Sequence, residues 1–409
     1  MAEQQLFLID HDHDRGSRWT RSTLLAAMVL TGLSMRTAAV TVGPVLEEVE
    51  SGLHVTPAAA GVITTLPVIC FAGIGTIAPR LARHIGEHLL VVTSMALMTI
   101  GLVLRAVASS LAPFVAASLL ALCGGAVTNV LMPSLVKRHY PDRIGAMTAV
   151  YTTALAVGAT AGSALTVPIS DLAGETNGWR WGLGAWAVLS ALAVLPWLIT
   201  LRGDHPDTSQ GPHLPVWRLR RSQTAWTMTL FFAGQSMQAY IAFGWFASYL
   251  RDQGISETHA GILIAFYAAL SIPTSAIMPM LAIRGQRPLV VALAACYLVG
   301  YVGLLVAPVG GSWAWMFLIG VGAGMFPLLL TMFGLRTRAP EATVALAAFT
   351  QGVGYILAGT GPLLVGVLLG QPHNWNWLFV LLFTALAVAT VAGLLAARPR
   401  FIEDEVPPS

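Results

Sequence analysis

The feature that most constrains this chain is a series of twelve apolar segments, each long enough to cross a lipid bilayer as a helix. About 20 helical residues span the roughly 30 Å of bilayer hydrocarbon. Of the 409 residues, 56% are hydrophobic and 10% are charged, against about a quarter charged in soluble domains. The sequence therefore predicts an all-α polytopic membrane protein. The predicted segments are 23–46, 57–79, 88–108, 112–135, 143–168, 180–201, 223–250, 257–282, 288–308, 312–335, 342–368 and 375–396.

The distribution of Lys and Arg predicts the orientation of these helices, because cytoplasmic loops carry an excess of both. With the N-terminus inside, the 22 basic residues fall in inner loops and tails, except for Arg36, Arg105, Arg180 and Arg251. Their spread over many loops argues against a nucleic-acid-binding face. Arg105 lies near the outer end of the third segment, where a long side chain can extend its charge to water. We therefore expect Arg105 to reach the outer surface and both termini to be cytoplasmic.

The longest break, 203–221, divides the twelve segments six and six. We predict a cytoplasmic N-terminal tail over 1–22, six-helix bundles over 23–202 and 222–397, a cytoplasmic linker over 203–221, and a cytoplasmic tail over 398–409. The two bundles align with each other after a shift of 199 or 200 positions. The aligned pairs are Ala60-Gly61 with Ala260-Gly261, Pro79 with Pro279, Gly125 with Gly324, Lys137 with Arg336, Pro141 with Pro340, and Gly162 with Gly361. Two repeated halves are the layout of transporters that alternate access around a site near the bilayer midplane.

Several short motifs indicate which kind of transporter these two halves form. They are Met35-Arg36-Thr37 and Thr41-Val42-Gly43-Pro44 in the first segment, 60–68 and 78–83 around the second, Gln235-Ser236 and Trp245 in the seventh, and Asp252-Gln253-Gly254 after it. With these motifs, the chain resembles the major facilitator superfamily from end to end and, within it, the cyanate and nitroimidazole transporter family. Two features differ: Thr37 stands where that family usually has proline, and 79–86 lacks the aspartate of the superfamily loop signature.

The resemblance implies a major facilitator fold of twelve transmembrane helices in two pseudo-symmetric halves. It also implies a monomeric secondary transporter in a bacterial plasma membrane, with a small-molecule substrate and lipids as its partners and no cofactor.

The motifs that the sequence lacks exclude other classes of function. It contains no HExxH, GxSxG or Walker-type motif, and no Asp or Glu lies in the central part of a predicted span. An enzyme or an ATP-driven pump is therefore not expected, and no intramembrane proton relay can be assigned. Proton coupling, exchange and facilitated diffusion all stay open. Cys70, Cys123 and Cys296 lie in separate segments without ligand spacing, so neither disulfides nor a metal site is expected. The run 10–14 of alternating Asp and His is expected to be a solvated tail.

Arg36 is the sharpest functional signal, because it lies near the middle of the first apolar segment. A charge at that depth costs about 2.5–3.5 kcal/mol even on insertion scales, so we expect it to face the protein interior or a watery cavity. Its planar guanidinium can bind a carboxylate or another planar anion through two parallel hydrogen bonds. The structural alternative is an arginine that hydrogen-bonds helix carbonyls. We predict that Arg36 binds an anionic substrate.

Neutral polar residues at similar depth form the rest of the predicted substrate site. Gln235 and Gln238 are three residues apart on one helix, and Gln351 and Tyr355 are four apart on another, so each pair shares a helix face. Each of these residues could instead make an interhelical hydrogen bond worth about 0.6–2 kcal/mol. The remaining predicted residues are Asn129, Tyr151, Tyr240 and Tyr267.

Three functions fit these observations. The first is a secondary active or facilitative carrier of a small anion, either cyanate-like or organic, with Arg36 at its centre. The second is an exporter of neutral nitro-aromatic or other drug-like compounds, in which Arg36 binds a nitro group. The third is a non-transporting membrane receptor built on a carrier fold, which the intact polar centre argues against. The direction of transport stays open.

Overall fold

The computed structural model describes residues 22–53, 57–174, 177–201, 215–369 and 374–406. Along these ranges the chain forms twelve long helical segments. They are α1 (22–35, continued by Thr37–Val40 and a 3-10 turn Gly43–Val45), α2 (Pro57–Ile85), α3 (Glu87–Val107), α4 (Leu111–His139), α5 (Ile144–Leu172), α6 (Gly178–Gly184 and Trp186–Leu201), α7 (Gln223–Asp252), α8 (Glu257–Ala269 and Ser271–Ala282), α9 (Gln286–Val306), α10 (Ser312–Gly322 and Met325–Leu335), α11 (Pro340–Leu369) and α12 (Asn376–Ala396).

Ten of these segments are long and apolar enough to cross a membrane, by length and composition. The other two, α2 and α7, are 29 and 30 residues long. The predicted all-α membrane architecture is confirmed. The predicted tail with its 10–14 run, and most of the linker, lie outside the described residues, so the domain limits stay a prediction.

Helices within each half approach closely where glycine removes a side chain. In the first half, α1 packs on α5: Gly32 lies against the backbone of Tyr151, and Gly158 lies against the backbone of Leu33. A Cβ added at Gly32 would stand 2.7 Å from the Tyr151 carbonyl oxygen. Small residues allow such backbone contact between membrane helices. This contact fixes α1, the helix that carries Arg36, against the rest of its half.

Among the described residues, the contacts between the two halves include α2 with α11, α5 with α8 and α10, and α4 with both α10 and α11. Hydrogen bonds join the halves near the α4–α5 and α10–α11 connections. The Lys137 ammonium donates to the carbonyl oxygen of Gly334 at 2.7 Å and to that of Thr337. The Ser134 hydroxyl donates to the Pro340 carbonyl oxygen at 2.9 Å. We refer to this end of the bundle as the closed end.

Glu87 supports the closed end from within the first half, and the sequence analysis did not single it out. Its side chain is buried at the start of α3, lies 2.8 Å from the Ser134 hydroxyl, whose single proton it shares with the Pro340 carbonyl oxygen, and lies 3.5 Å from the Arg138 guanidinium. Arg138 also pairs with Glu341 of the other half at 3.0 Å. A buried carboxylate needs such partners, because its desolvation is otherwise unfavourable.

The C-terminal segment Ile402–Glu405 folds back onto the second half. Its Glu405 carboxylate accepts hydrogen bonds from the Ser222 hydroxyl and the Thr224 hydroxyl, both at 2.6 Å, and from the Thr224 backbone at 3.0 Å. Burial alone would raise the pKa of the Glu405 carboxyl, but these hydrogen bonds and the charge of Arg400 together hold that pKa below its ordinary value. The contact ties the end of the chain to the start of α7.

Replacing Glu405 with glutamine is expected to lower the stability of the purified protein in detergent by about 1 kcal/mol at neutral pH, within the range for partly exposed hydrogen bonds to a charged group. Because the pKa is lower in the folded state, this stabilisation is present above the ordinary glutamate pKa and is lost as the pH falls through the folded value. Thermal unfolding midpoints measured from pH 7 down to about pH 3 would show whether the two proteins become equally stable as the pH falls.

Asp404→Asn is the matched control, because Asp404 pairs with Arg338 where both side chains are more than half exposed. We expect it to change the midpoint little at any of these pH values. A difference between wild type and Glu405→Gln that stays constant down to about pH 3 would contradict the assignment.

Candidate substrate site

A break in α1 positions Arg36. The helix over 22–35 ends there, and the Arg36 carbonyl oxygen accepts from the amides of Ala39 and Val40, both at 3.0 Å, to begin the next short helix. The Thr37 hydroxyl donates to the Ser34 carbonyl oxygen at 2.8 Å. Thr37 stands where the family usually has proline, so the helix breaks at Arg36 without a proline beside it. The threonine hydroxyl satisfies one of the carbonyls at the break.

The Arg36 side chain extends from this break toward the second half. It is half-buried, and its guanidinium carbon lies 5.2 Å from the ring centroid of Phe326, a cation–π distance. It is also close enough to Tyr240 and Tyr355 to interact with both phenols electrostatically. Within the described ranges, no hydrogen bond or ion pair reaches the guanidinium. Its five donors therefore stay available to a ligand or to water.

A cluster of four aromatic rings adjoins this guanidinium through Phe326, and we call Phe71, Phe232, Phe326 and Tyr355 the aromatic wall. The ring of Tyr355 makes edge contacts with Phe71, at a centroid distance of 5.5 Å, and with Phe232, at 4.8 Å. Phe232 in turn lies 6.4 Å from Phe326. Because Phe71 belongs to α2 and the other three to α7, α10 and α11, the wall spans both halves. Such rings bury flat apolar surface and orient it through edge and face contacts.

Sequence reasoning placed Tyr355 here but missed the three phenylalanines. Phe326 follows the break in α10 between Gly322 and Met325, so the paired glycines there were the available signal. On α7, the spacing of Phe231 from Gln235 and Gln238 puts it on the same helix face as those glutamines. That ring instead packs against Gly393 of α12, and its neighbour Phe232 reaches the wall.

Asn129 and Gln351 form a polar bridge between the halves. The Asn129 amide donates to the Gln351 side-chain oxygen at 2.5 Å, and both residues are buried. The Gln351 amide nitrogen has no hydrogen-bond partner among the described residues. Gln351 lies one turn from Tyr355 on α11, as predicted, so this bridge adjoins the aromatic wall and offers a donor there.

The two predicted glutamines on α7 are engaged differently. Gln235 donates to the hydroxyl of its neighbour Ser236 at 2.6 Å. Gln238 is fully buried, donates to the Gly234 carbonyl oxygen at 3.1 Å, and accepts from the Tyr301 hydroxyl of α9 at 3.0 Å. Both ends of the Gln238 amide are therefore occupied within the second half, which matches the interhelical alternative more closely than the substrate site.

The remaining predicted residues, Tyr151 and Tyr267, are also buried. Tyr267 packs its ring against Phe243 at a centroid distance of 5.2 Å. The Tyr151 hydroxyl is buried and has no hydrogen-bond partner in the part of the chain that the structure describes. Of the predicted set, the structure thus brings Arg36, Tyr240 and Tyr355 together, with Asn129 and Gln351 beside them.

The expectation for Arg105 is wrong. Its side chain is fully buried, donates to the Ala38 carbonyl oxygen at 2.8 Å, and donates to the Thr41 hydroxyl at 3.0 Å. The physical reason is the break in α1, which leaves carbonyl and hydroxyl oxygens of 38–41 free to accept from a neighbouring helix. Arg105 therefore binds oxygen atoms inside the protein and does not extend to water at the outer surface.

Two repeated helical halves that meet at a polar centre are typical of a membrane transporter, and the half-buried Arg36 at that centre has no hydrogen-bond or ion-pair partner among the described residues. The chain belongs to the Major Facilitator Superfamily, whose sequence profile matches residues 24–362.

Relatives within the superfamily agree with the predicted resemblance. The chain is 36% identical over 387 residues to the uncharacterized transporter YycB of Bacillus subtilis (strain 168), covering 93% of this chain and 94% of that protein. It is 31% identical over 390 residues to the 2-nitroimidazole transporter of Escherichia coli (strain K12), covering 93% and 97%. It is 27% identical over 386 residues to the cyanate transport protein CynX of the same organism, covering 94% and 98%.

Solved structures share the fold. The outward conformation of FucP, a Major Facilitator Superfamily transporter, aligns with a TM-score of 0.72 at 15% identity, covering 92% of this chain and 100% of that one.

Proposed function

We propose that this protein carries a small organic anion across a bacterial plasma membrane by alternating access around Arg36. The observation that carries the proposal is the Arg36 guanidinium, which lies half-buried against Phe326 without a hydrogen-bond or ion-pair partner in the described residues. An anion that accepts two of its parallel donors would neutralise the charge and satisfy the guanidinium at once. A monomer is sufficient for this mechanism, because one chain contains both halves.

The aromatic wall favours an organic anion over a bare inorganic one. Phe71, Phe232 and Tyr355 offer ring edges and faces to a planar apolar body, while Arg36 binds the charged group at one end of it. The free donor of Gln351 adds one hydrogen bond beside the wall. A flat carboxylate therefore uses every part of this cluster, whereas cyanate uses only the arginine.

The closed end supports the alternating part of the proposal. Lys137 and Ser134 of α4 hydrogen-bond carbonyl oxygens of the second half, and the Lys/Arg pattern predicts that this end is cytoplasmic. In that orientation, these contacts would close the carrier toward the cytoplasm. Substrate would then reach Arg36 from the outer side, and separation of these contacts would release it inward.

A second candidate function is transport of a neutral nitro-aromatic compound. The aromatic wall favours it independently of charge, and a relative that is 31% identical is a 2-nitroimidazole transporter. In this case the two nitro oxygens would accept from Arg36, and the ring would pack against Phe232 and Tyr355.

A thermal-shift assay on purified protein separates these functions. We expect benzoate to stabilise the protein and benzamide, which has the same shape without the charge, to have little effect. Binding at 100 times the dissociation constant stabilises by about 2.7 kcal/mol. Cyanate and 2-nitroimidazole complete the series, and Arg36→Gln is the control that removes the charge.

The outcomes distinguish the candidates clearly. Equal stabilisation by benzoate and benzamide would contradict the anion proposal. Stabilisation by 2-nitroimidazole alone would favour the second function.

A further inference from the structure

A second arginine faces a cavity inside the first half. The cavity has a volume of about 120 Å³ and lies between the break in α1 and helices α2, α3 and α4. We call it the Arg105 cavity. Its lining includes Ala38, Val42, Pro67, Arg105, Ser118 and Leu122. Arg36 is not part of this lining, so the cavity is separate from the candidate substrate site.

Two polar groups in this lining are buried and unsatisfied. The Arg105 Nε and the Ser118 hydroxyl oxygen have no hydrogen-bond partner in the described ranges, although their residues are 0% and 2% exposed. Buried polar atoms are nearly always hydrogen-bonded, to protein or to something else. Two such orphans on one cavity indicate that the cavity holds a molecule which accepts from both.

The charge of Arg105 narrows the nature of that molecule. Arginine stays protonated in proteins, and the two protein partners of Arg105, a carbonyl and a hydroxyl, are both neutral. Within the described residues it forms no salt bridge. An isolated buried charge is strongly unfavourable, whereas a paired and hydrogen-bonded one is tolerated. A single water needs about 10–15 Å³ of such space, so the cavity also has room for an ion.

We propose that the Arg105 cavity binds a small monovalent anion of about the size of chloride or bromide, between the Arg105 guanidinium and the Ser118 hydroxyl. This site is additional to the one proposed at Arg36. Arg105 also donates to Ala38 and Thr41 at the break in α1. An anion that pairs with Arg105 therefore acts directly on the segment that carries Arg36 and stabilises that segment as folded here.

Bromide is the probe for this site. Thermal unfolding midpoints of the purified full-length protein are measured while bromide replaces gluconate at constant ionic strength. We expect a saturable rise in wild type and in Arg36→Gln, with no rise in Arg105→Gln. Ser118→Ala is expected to weaken the apparent bromide affinity about tenfold, the ratio that corresponds to one lost hydrogen bond to a charged group. In crystals grown with bromide, anomalous scattering should place the ion beside Arg105.

Three outcomes would overturn the proposal. They are a wild-type midpoint that does not depend on the anion, a bromide response that Arg36→Gln removes and Arg105→Gln retains, and an unchanged affinity in Ser118→Ala. The serine variant keeps the test valid if Arg105→Gln fails to fold, because it removes one hydroxyl and leaves the buried charge in place. The Arg36→Gln arm also separates this site from the substrate site, since the anion proposal for Arg36 can fail while the bromide response persists.

Discussion

Arg36→Ala and Arg36→Lys are both expected to abolish uptake of the anionic substrate while leaving the protein folded. Alanine removes the charge and all five donors, and lysine keeps the charge but loses the planar pair of parallel donors. A hydrogen bond to a charged group contributes about 1.5–3 kcal/mol, so the loss of even one weakens binding about 10- to 100-fold. Counterflow of a labelled aromatic carboxylate in proteoliposomes would measure the effect.

The matched control is Arg338→Ala, which removes one positive charge from an exposed pair with Asp404 far along the chain from the candidate site. We expect it to transport normally. Unfolding midpoints of all three variants would show whether the purified proteins are folded. Normal counterflow by both Arg36 variants would contradict the anion hypothesis and would indicate that Arg36 has a structural role.

Arg36 and Arg105 show which side-chain positions can be predicted from the sequence and which cannot. Both are arginines inside apolar segments, and hydropathy alone predicted an interior position for the first because it lies at mid-span. The second was judged by its distance from the outer end of its helix. Its true partner is the backbone around Ala38, which is free only because α1 breaks there. Helix breaks of this kind depend on tertiary packing, so a pattern of apolar residues does not reveal them.

The aromatic wall could not be predicted from the sequence for a related reason. Phe326 and Phe232 are ordinary residues in apolar helices, and their role arises from which face each helix turns inward. On α7 a shift of one position, from Phe231 to Phe232, changes the face, because consecutive residues on a helix lie about 100° apart. In contrast, Gln351 and Tyr355 share a face of α11 whatever the rotation of the helix, because their spacing alone fixes that relation.

The second prediction with a large expected effect concerns Lys137, which aligns with Arg336 in the repeat. These residues align between the halves, but their contacts differ. Arg336 donates to the Ala396 carbonyl oxygen at 2.7 Å and to Gln286 at 2.7 Å, both within its own half. Lys137 instead donates across the interface to carbonyl oxygens at the end of α10. A cation at a helix C-terminus is stabilising, so Lys137 favours the closed end directly.

Lys137→Ala is therefore expected to shift the conformational equilibrium toward a state that opens at this end. Loss of a charge-assisted hydrogen bond of about 1.5–3 kcal/mol corresponds to a change of about 10- to 100-fold in the ratio of the two states. Electron–electron double resonance between spin labels at Arg143 and Arg284, in a background without native cysteines, would detect it. Both sites are exposed and lie on opposite halves near the α5–α8 contact.

The expected result is a new population at longer distance in Lys137→Ala. The Arg336→Gln variant is the control, because its lost hydrogen bonds lie within one half and leave the interface unchanged; it should keep the wild-type distance distribution even if its unfolding midpoint falls. A distribution that is identical in wild type and Lys137→Ala would show that other contacts, such as Ser134 with Pro340, hold the end closed. Because transport requires both states, the same variant should also change the rate of benzoate counterflow.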